Sequence, residues 1–298
     1  MLEPRDLLGP MRVPFLVLPP ACVFLGAGTA IWTQGLIDPF FLLLAFGGAV
    51  AAHISVNALN EYSDFRSQLD LRTERTPFSG GSGTLPAKPE VARSALVTGL
   101  AMLVVAGLIG LYFLYIRGLA LLPLGLLGIV SILAYTPWIT RSPFLCLIAP
   151  GLGFGLFMVL GTDFVLTGSY SWAAFWASLV PFFLVSNLLL LNQFPDVEAD
   201  RSVGRRHYPI VLGRRKSSYI YAAFLLGTYL SLVVAVILDY LPLASLLGFA
   251  SLLLTIPTVR GVLRYADDLG KLMPFLGLNV ILTVVTPVLV GVGLLLAP

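Results

Sequence analysis

The sequence predicts an all-α integral membrane protein: nine transmembrane helices in a bundle, with two cytoplasmic Asp-rich loops over a central cavity. The first observation is composition, 58% hydrophobic and 11% charged over 298 residues, where a soluble domain carries about 25% charged residues. The second is a series of nine apolar stretches at or near the roughly 17–25 residues that a spanning helix needs. The third is the placement of charge. In a nine-span chain, 17 of the 18 Lys and Arg fall on one side and only Arg117 on the other. Such a bias puts the basic side in the cytoplasm, together with the N-terminal tail and both long polar loops. The net charge of +3 is therefore a topology signal, and no nucleic-acid partner is expected. The implied setting is the cell inner (cytoplasmic) membrane, crossed many times and in contact with lipid.

Met1 to Arg12 mixes Glu3, Asp6 and two arginines ahead of a long apolar run. That reads as an uncleaved first span rather than a secretory signal. Spans are expected near 13–35, 39–60, 94–116, 118–138, 145–167, 172–194, 218–238, 240–258 and 274–296. The joins between the fourth and fifth and between the seventh and eighth are the least sharply marked. Two hydrophilic loops, near 61–93 and 196–217, interrupt the series. No low-complexity tract or linker divides the chain, so residues 1–298 read as a single membrane domain. Cys22 and Cys146 lie in separate apolar spans and are expected as packed thiols without a disulfide. Asp163, Asp239, Asp267 and Asp268 read as ordinary loop charges.

Each hydrophilic loop opens on an acidic string: Asn60-Glu-Tyr-Ser-Asp64-Phe-Arg-Ser-Gln-Leu-Asp70 and Asn192-Gln-Phe-Pro-Asp196-Val-Glu-Ala-Asp200. Carboxylates beside a membrane span are costly and face a partner charge or a wet cavity. His53, Asn57, Asn60 and Asp64 form one helical stripe, as do Asn192, Asp196 and Asp200, while Glu198 points elsewhere and is expected in solvent. Asp70 falls past the helix end, on a turn that returns it. The stripe alone also suits a polar seam between helices, and His53 suits contact with a neighbouring helix better than a metal. Pro195 is placed to open the second helix. The shared Asn-x-x-x-Asp spacing suggests two related halves, though the second acid lies six residues on in one copy and four in the other.

Arg72, Arg75 and the glycines of Ser79-Gly80-Gly81-Ser82-Gly83 follow the first string; Arg201, Arg205 and Arg206 follow the second. Glycines let backbone amides approach phosphate oxygens, although a mobile loop has the same composition. No Gly-Lys-Ser/Thr ends this loop, so it is not a nucleotide-binding P-loop. Arg214, Arg215 and Lys216 read as cytoplasmic anchors. Tyr135-Thr-Pro-Trp138 ends the fourth span as an interfacial aromatic or as a cavity wall. Acids and arginines together at one mouth of an apolar bundle suit a magnesium diphosphate, since Mg²⁺ takes a few carboxylates plus phosphate oxygens. A diphosphate at the membrane surface beside a lipid-facing cavity implies an isoprenoid tail.

These strings resemble the UbiA superfamily of intramembrane prenyltransferases, nearest its menaquinone branch, the 1,4-dihydroxy-2-naphthoate prenyltransferases. Asn60, Asp64 and Asp70 match the first motif of that family, and Asp196 and Asp200 match the second, followed by Arg201, Gly204, Arg205 and Arg206. Glu61 stands where the branch usually has Asp, and Gln68 where it often has Gly. The resemblance implies Mg²⁺-dependent transfer of a prenyl group from a polyprenyl diphosphate to an aromatic acceptor, such as a quinone precursor. It implies catalytic and metal-binding roles for Asp64, Asp70, Asp196 and Asp200. Asn60, Asn192, Arg72, Arg75, Arg201 and Arg12 would bind substrate. Other acceptors in the family (4-hydroxybenzoate, homogentisate, a chlorin, haem or glycerol phosphate) stay open. A secondary transporter is a rival from another class, but transporter sites sit near the bilayer midplane, and these acids cluster at one face.

Overall fold

The structure, a computed structural model, describes residues 8–297. Among them eight helices are long and apolar enough to cross a membrane: α1 Val13–Gln34, α2 Pro39–Arg66, α3 Pro89–Arg117, α5 Pro143–Thr167, α6 Trp172–Asn192, α7 Arg214–Ile237, α8 Leu243–Tyr265 and α9 Leu269–Leu296. The segment expected at 118–138 is a shorter apolar helix, α4 Leu119–Ala134. No strand occurs among the described residues. The chain is a multi-pass integral membrane protein, and all nine expected apolar segments are helical.

Local signals start several helices. Asp38 caps α2, its carboxylate accepting from the Phe40 amide at 2.8 Å with Pro39 in the first turn. Ser171 caps α6 through the Ala174 amide at 3.0 Å, and Asp268 caps α9 through Lys271 at 3.2 Å. Such caps satisfy amide groups that the helix itself leaves free. At the far ends of α3 and α5, Arg117 donates to the carbonyls of Val165 and Leu166 at 2.7 and 2.8 Å. The single arginine on that side of the sequence is thus a helix cap.

Helices α1 and α6 are the most enclosed, while α2 and α3 are the least buried, and both help to line a cavity. In the middle of α5 the chain widens into a π-helical stretch, Leu152–Leu160, just after Pro150. There Gly155 meets α6 so closely that a Cβ would lie 2.5 Å from the Ser178 carbonyl oxygen. Close approach at small residues is the usual way membrane helices gain contact without a hydrophobic driving force.

One expectation is corrected here. Asp163 is not a loop charge. It is fully buried within α5 and accepts hydrogen bonds from Thr29 Oγ1 at 2.8 Å and Ser171 Oγ at 2.9 Å. The helix runs past it to Thr167, and α1 and the cap of α6 supply the hydroxyls that a buried carboxylate needs.

Candidate active site

Helix α2 is longer than the apolar stretch that announces it and carries the first acidic string to Arg66. The chain then reverses through Gln68, whose φ is +61°, and the Leu69 amide bonds back to the Asp64 carbonyl at 2.9 Å. A left-handed residue at a helix end favours glycine. The turn carries the buried Asp70 back beside Asp64, as its spacing suggested.

The second string is bent where one continuous stripe was expected. Helix α6 stops at Asn192, residues 193–196 form a turn through Pro195, and a short helix, Val197–Ser202, resumes the chain. The Asp200 amide still bonds the Asp196 carbonyl at 2.9 Å, which keeps the two acids in helical register. Glu198 points to solvent and pairs with Arg201 at 3.0 Å.

A cavity of about 600 Å³ opens between these strings, lined by Asn60, Asp64, Asp70, Asn192, Asp196 and Asp200. Such a volume is within the roughly 300–1,000 Å³ of ligand sites. Arg12, Ser79, Gly80 and Gly81 complete the mouth, with Tyr135 as a wall. Beyond the mouth the walls turn apolar, running along α2, α4 and α5 to Leu121, Leu124 and Val165, near the end that holds Arg117.

Arg205 joins the two halves. Its guanidinium bonds Asp64 with one nitrogen and Asp200 with another, the latter at 2.9 Å. Burial alone would lower its pKa, but Asp64 and Asp200 reverse that and raise it. Arg201 is one residue past Asp200 on the short helix and faces outward. Gly204, at φ +81°, then turns the chain so that Arg205 comes back to the acids. His207 follows, buried, with Nε2 2.9 Å from Asp200 Oδ2. Neither Arg72, Arg75 nor Arg201 lines the cavity. Arg72 lies 3.4 Å from the Ser202 hydroxyl on the exposed face, and Arg75 packs against Gly83.

Arg12 donates to Glu61 at 2.8 Å and to Asn60 at 3.1 Å. Glu61 is fully buried and also accepts from the Ser82 amide at 2.7 Å and hydroxyl at 2.9 Å. It therefore fastens the N-terminal segment and the glycine loop to α2, a role its place in the motif does not announce. For Arg12, too, burial lowers the pKa, but Glu61, Asp64 and Asp70 together outweigh it and the net shift is upward. Gly81, at φ +68°, leaves no room for a side chain: a Cβ would lie 3.1 Å from Asp70 Oδ1 and 3.2 Å from Glu61 Oε1. The glycine loop is thus a packed wall of the cavity.

Two carboxyls each keep one oxygen without a partner. Asp70 Oδ2 and Asp196 Oδ1 are buried without a hydrogen bond, as is Asn192 Oδ1. Burial, then the charges of Asp64 and Glu61, push the Asp70 pKa up to about 7. Burial, then Asp200, do the same at Asp196, to about 7, against a smaller opposing effect of Ser79 and Gly80. Orphaned acceptors under mutual repulsion fit a bound cation. Among the described residues no three carboxylate, imidazole or thiol groups converge into a closed metal site. An open set fits Mg²⁺, which takes one or two carboxylates and completes its shell with phosphate and water.

The UbiA prenyltransferase family matches residues 18–281. A digeranylgeranylglyceryl phosphate synthase of Natronomonas pharaonis is 28% identical over 245 residues, covering 80% of this chain and 78% of that one. A 1,4-dihydroxy-2-naphthoate octaprenyltransferase of Escherichia coli is 27% identical over 298 residues, covering 94% and 92%. Among solved structures, the apo form of a UbiA homolog from Aeropyrum pernix superposes with a TM-score of 0.70 at 19% identity, over 96% of this chain and 98% of that one. A UbiA homolog from Archaeoglobus fulgidus bound to DMAPP and Mg²⁺ gives 0.61 at 15%, over 96% and 98%. The chain is a prenyltransferase and belongs to the UbiA prenyltransferase family.

Proposed function

We propose that this protein transfers a prenyl group from a polyprenyl diphosphate to an aromatic acceptor, in a Mg²⁺-dependent reaction at the cytoplasmic face of the cell inner membrane. The aromatic acceptor we favour is a quinone precursor such as 1,4-dihydroxy-2-naphthoate. The observation that carries this reading is the pair of unpartnered carboxyl oxygens, one on Asp70 and one on Asp196, at the mouth of a cavity whose deeper walls are apolar. Charge at one end and grease at the other match a diphosphate and its isoprenoid tail. All nine apolar helices span the membrane in this reading, as one domain with the N-terminus inside.

Asp70 and Asp196 would hold the metal, with Asp64 and Asp200 contributing charge beside them. Bound there, Mg²⁺ supplies neutralisation of the departing diphosphate. Arg205 and Arg12 take the charge-stabilising role expected of Arg72, Arg75 and Arg201, because they line the cavity and those three do not. Stabilising the leaving group is where most of the barrier reduction lies. The apolar walls keep water from the allylic cation until a ring carbon attacks it.

The experiment is to incubate purified protein with geranyl diphosphate, Mg²⁺ and a panel of acceptors, and to read products by mass spectrometry. A prenylated aromatic is the expected product. Transfer to glycerol phosphate alone would contradict the acceptor, and absence of any transfer would contradict the reading.

A further inference from the structure

A buried polar atom without a hydrogen-bond partner is costly, and each one calls for a reason. Those around the cavity fall in two places. Asp70, Asn192, Asp196 and His207 carry theirs at the mouth, among the charged groups already described. The other is Nδ1 of His53, which belongs to neither acidic string. Trp176, Ser186, Asn187, Ser245, Asn279 and Thr286 also hold unpartnered atoms, but none of them lines the cavity.

His53 is 4% exposed and lines the cavity from α2, seven residues before Asn60. At the rise of an α-helix it lies about 10 Å deeper than that amide. Its expected contact with a neighbouring helix is apolar: Phe154, on the π-helical stretch of α5, meets the imidazole edge-on with centroids 4.8 Å apart. Ala49, Ala52, Val56, Phe157 and Met158 line the cavity around it. The ring is held by packing, and Asn57, the polar residue next to it on the same helix face, already donates to the Met11 carbonyl at 3.1 Å.

We propose that His53 selects the acceptor, its imidazole hydrogen-bonding a hydroxyl of an aromatic ring seated in the apolar part of the cavity. This rests on the prenyl-transfer reading above and narrows it to hydroxyl-bearing aromatic acceptors. A phosphate-bearing acceptor placed here would bury up to two negative charges among apolar walls, where the naphthoate buries only one, and the arginines that line the cavity, Arg12 and Arg205, lie at its mouth. An acceptor without the hydroxyl would leave a buried imidazole unpaired, which is the kind of contact that gives strong discrimination.

The test measures KM for 1,4-dihydroxy-2-naphthoate and for geranyl diphosphate in the full-length wild type, His53→Leu and His53→Gln. Leucine removes the hydrogen bond at similar volume, and glutamine restores one. His53→Leu is expected to raise the acceptor KM by about tenfold or more. The geranyl diphosphate KM should stay within about twofold, and His53→Gln should recover most of the loss. An unchanged acceptor KM in His53→Leu, or an equal rise in both KM values, overturns the role of His53 while leaving prenyl transfer intact. If His53→Leu does not fold, His53→Gln is compared with wild type on the naphthoate and its O-methylated counterpart. A changed preference supports the assignment and an identical one overturns it. Wild type that prenylates only a phosphate-bearing acceptor overturns the acceptor class itself.

Discussion

Asp64→Asn and Asp196→Asn are each expected to lower turnover by at least ~100-fold, about 2.7 kcal/mol of barrier. Both substitutions delete a carboxylate charge at nearly constant volume, one from each acidic string, and both residues line the cavity. Glu198→Gln deletes the same charge two residues from Asp196, but that side chain is 77% exposed and pairs with Arg201. It should lower the rate by less than about tenfold, since surface pairs of this kind are worth little. Steady-state rates for the three variants check the contrast. Equal damage from Glu198→Gln would mean that the short helix does not present Asp196 and Asp200 inward as described.

The second large effect is on folding. Arg205→Gln leaves Asp64 and Asp200 facing each other, buried, without the cation that bridges them. Removing one partner of a buried ion pair costs about 3–5 kcal/mol, so this variant should unfold at a clearly lower temperature. Arg201→Gln removes an equal charge from an exposed pair and should cost at most about 1 kcal/mol. Thermal unfolding of the two variants in detergent separates them. Similar midpoints would show that Arg205 does not tie the two strings together.

Much of this was legible in the sequence because membrane burial writes a strong signal. Apolar length marked the nine long apolar helices, and the return of Asp70 followed from its spacing beyond a helix end. What spacing alone missed lies where the chain leaves helical geometry. A continuous stripe from Asn192 to Asp200 gives Arg201 and Arg205 similar standing, and only the turn at Gly204 decides between them. Glu61 reads as a substituted motif residue until its bonds to Arg12 and Ser82 show it fastening three segments. The burial of Asp163 depends on hydroxyls of Thr29 and Ser171, one of them 134 residues away, a pairing that local pattern does not encode. His207 had only its distance from Asp200 to mark it, two helical turns along a chain that is not helical there.

The account stands most directly on metal-dependent binding of a diphosphate at the paired strings. Isothermal titration of purified protein with a non-reactive geranyl thiodiphosphate, with Mg²⁺ and then with EDTA, measures it. Tight binding is expected only with Mg²⁺ and should be lost in Asp196→Asn. The Mg²⁺ requirement should also rise as pH falls from about 8 to 6, because Asp70 and Asp196, with pKa values raised to about 7, must lose their protons to bind the ion. Equal affinity in EDTA, or binding indifferent to Asp196, would contradict the account.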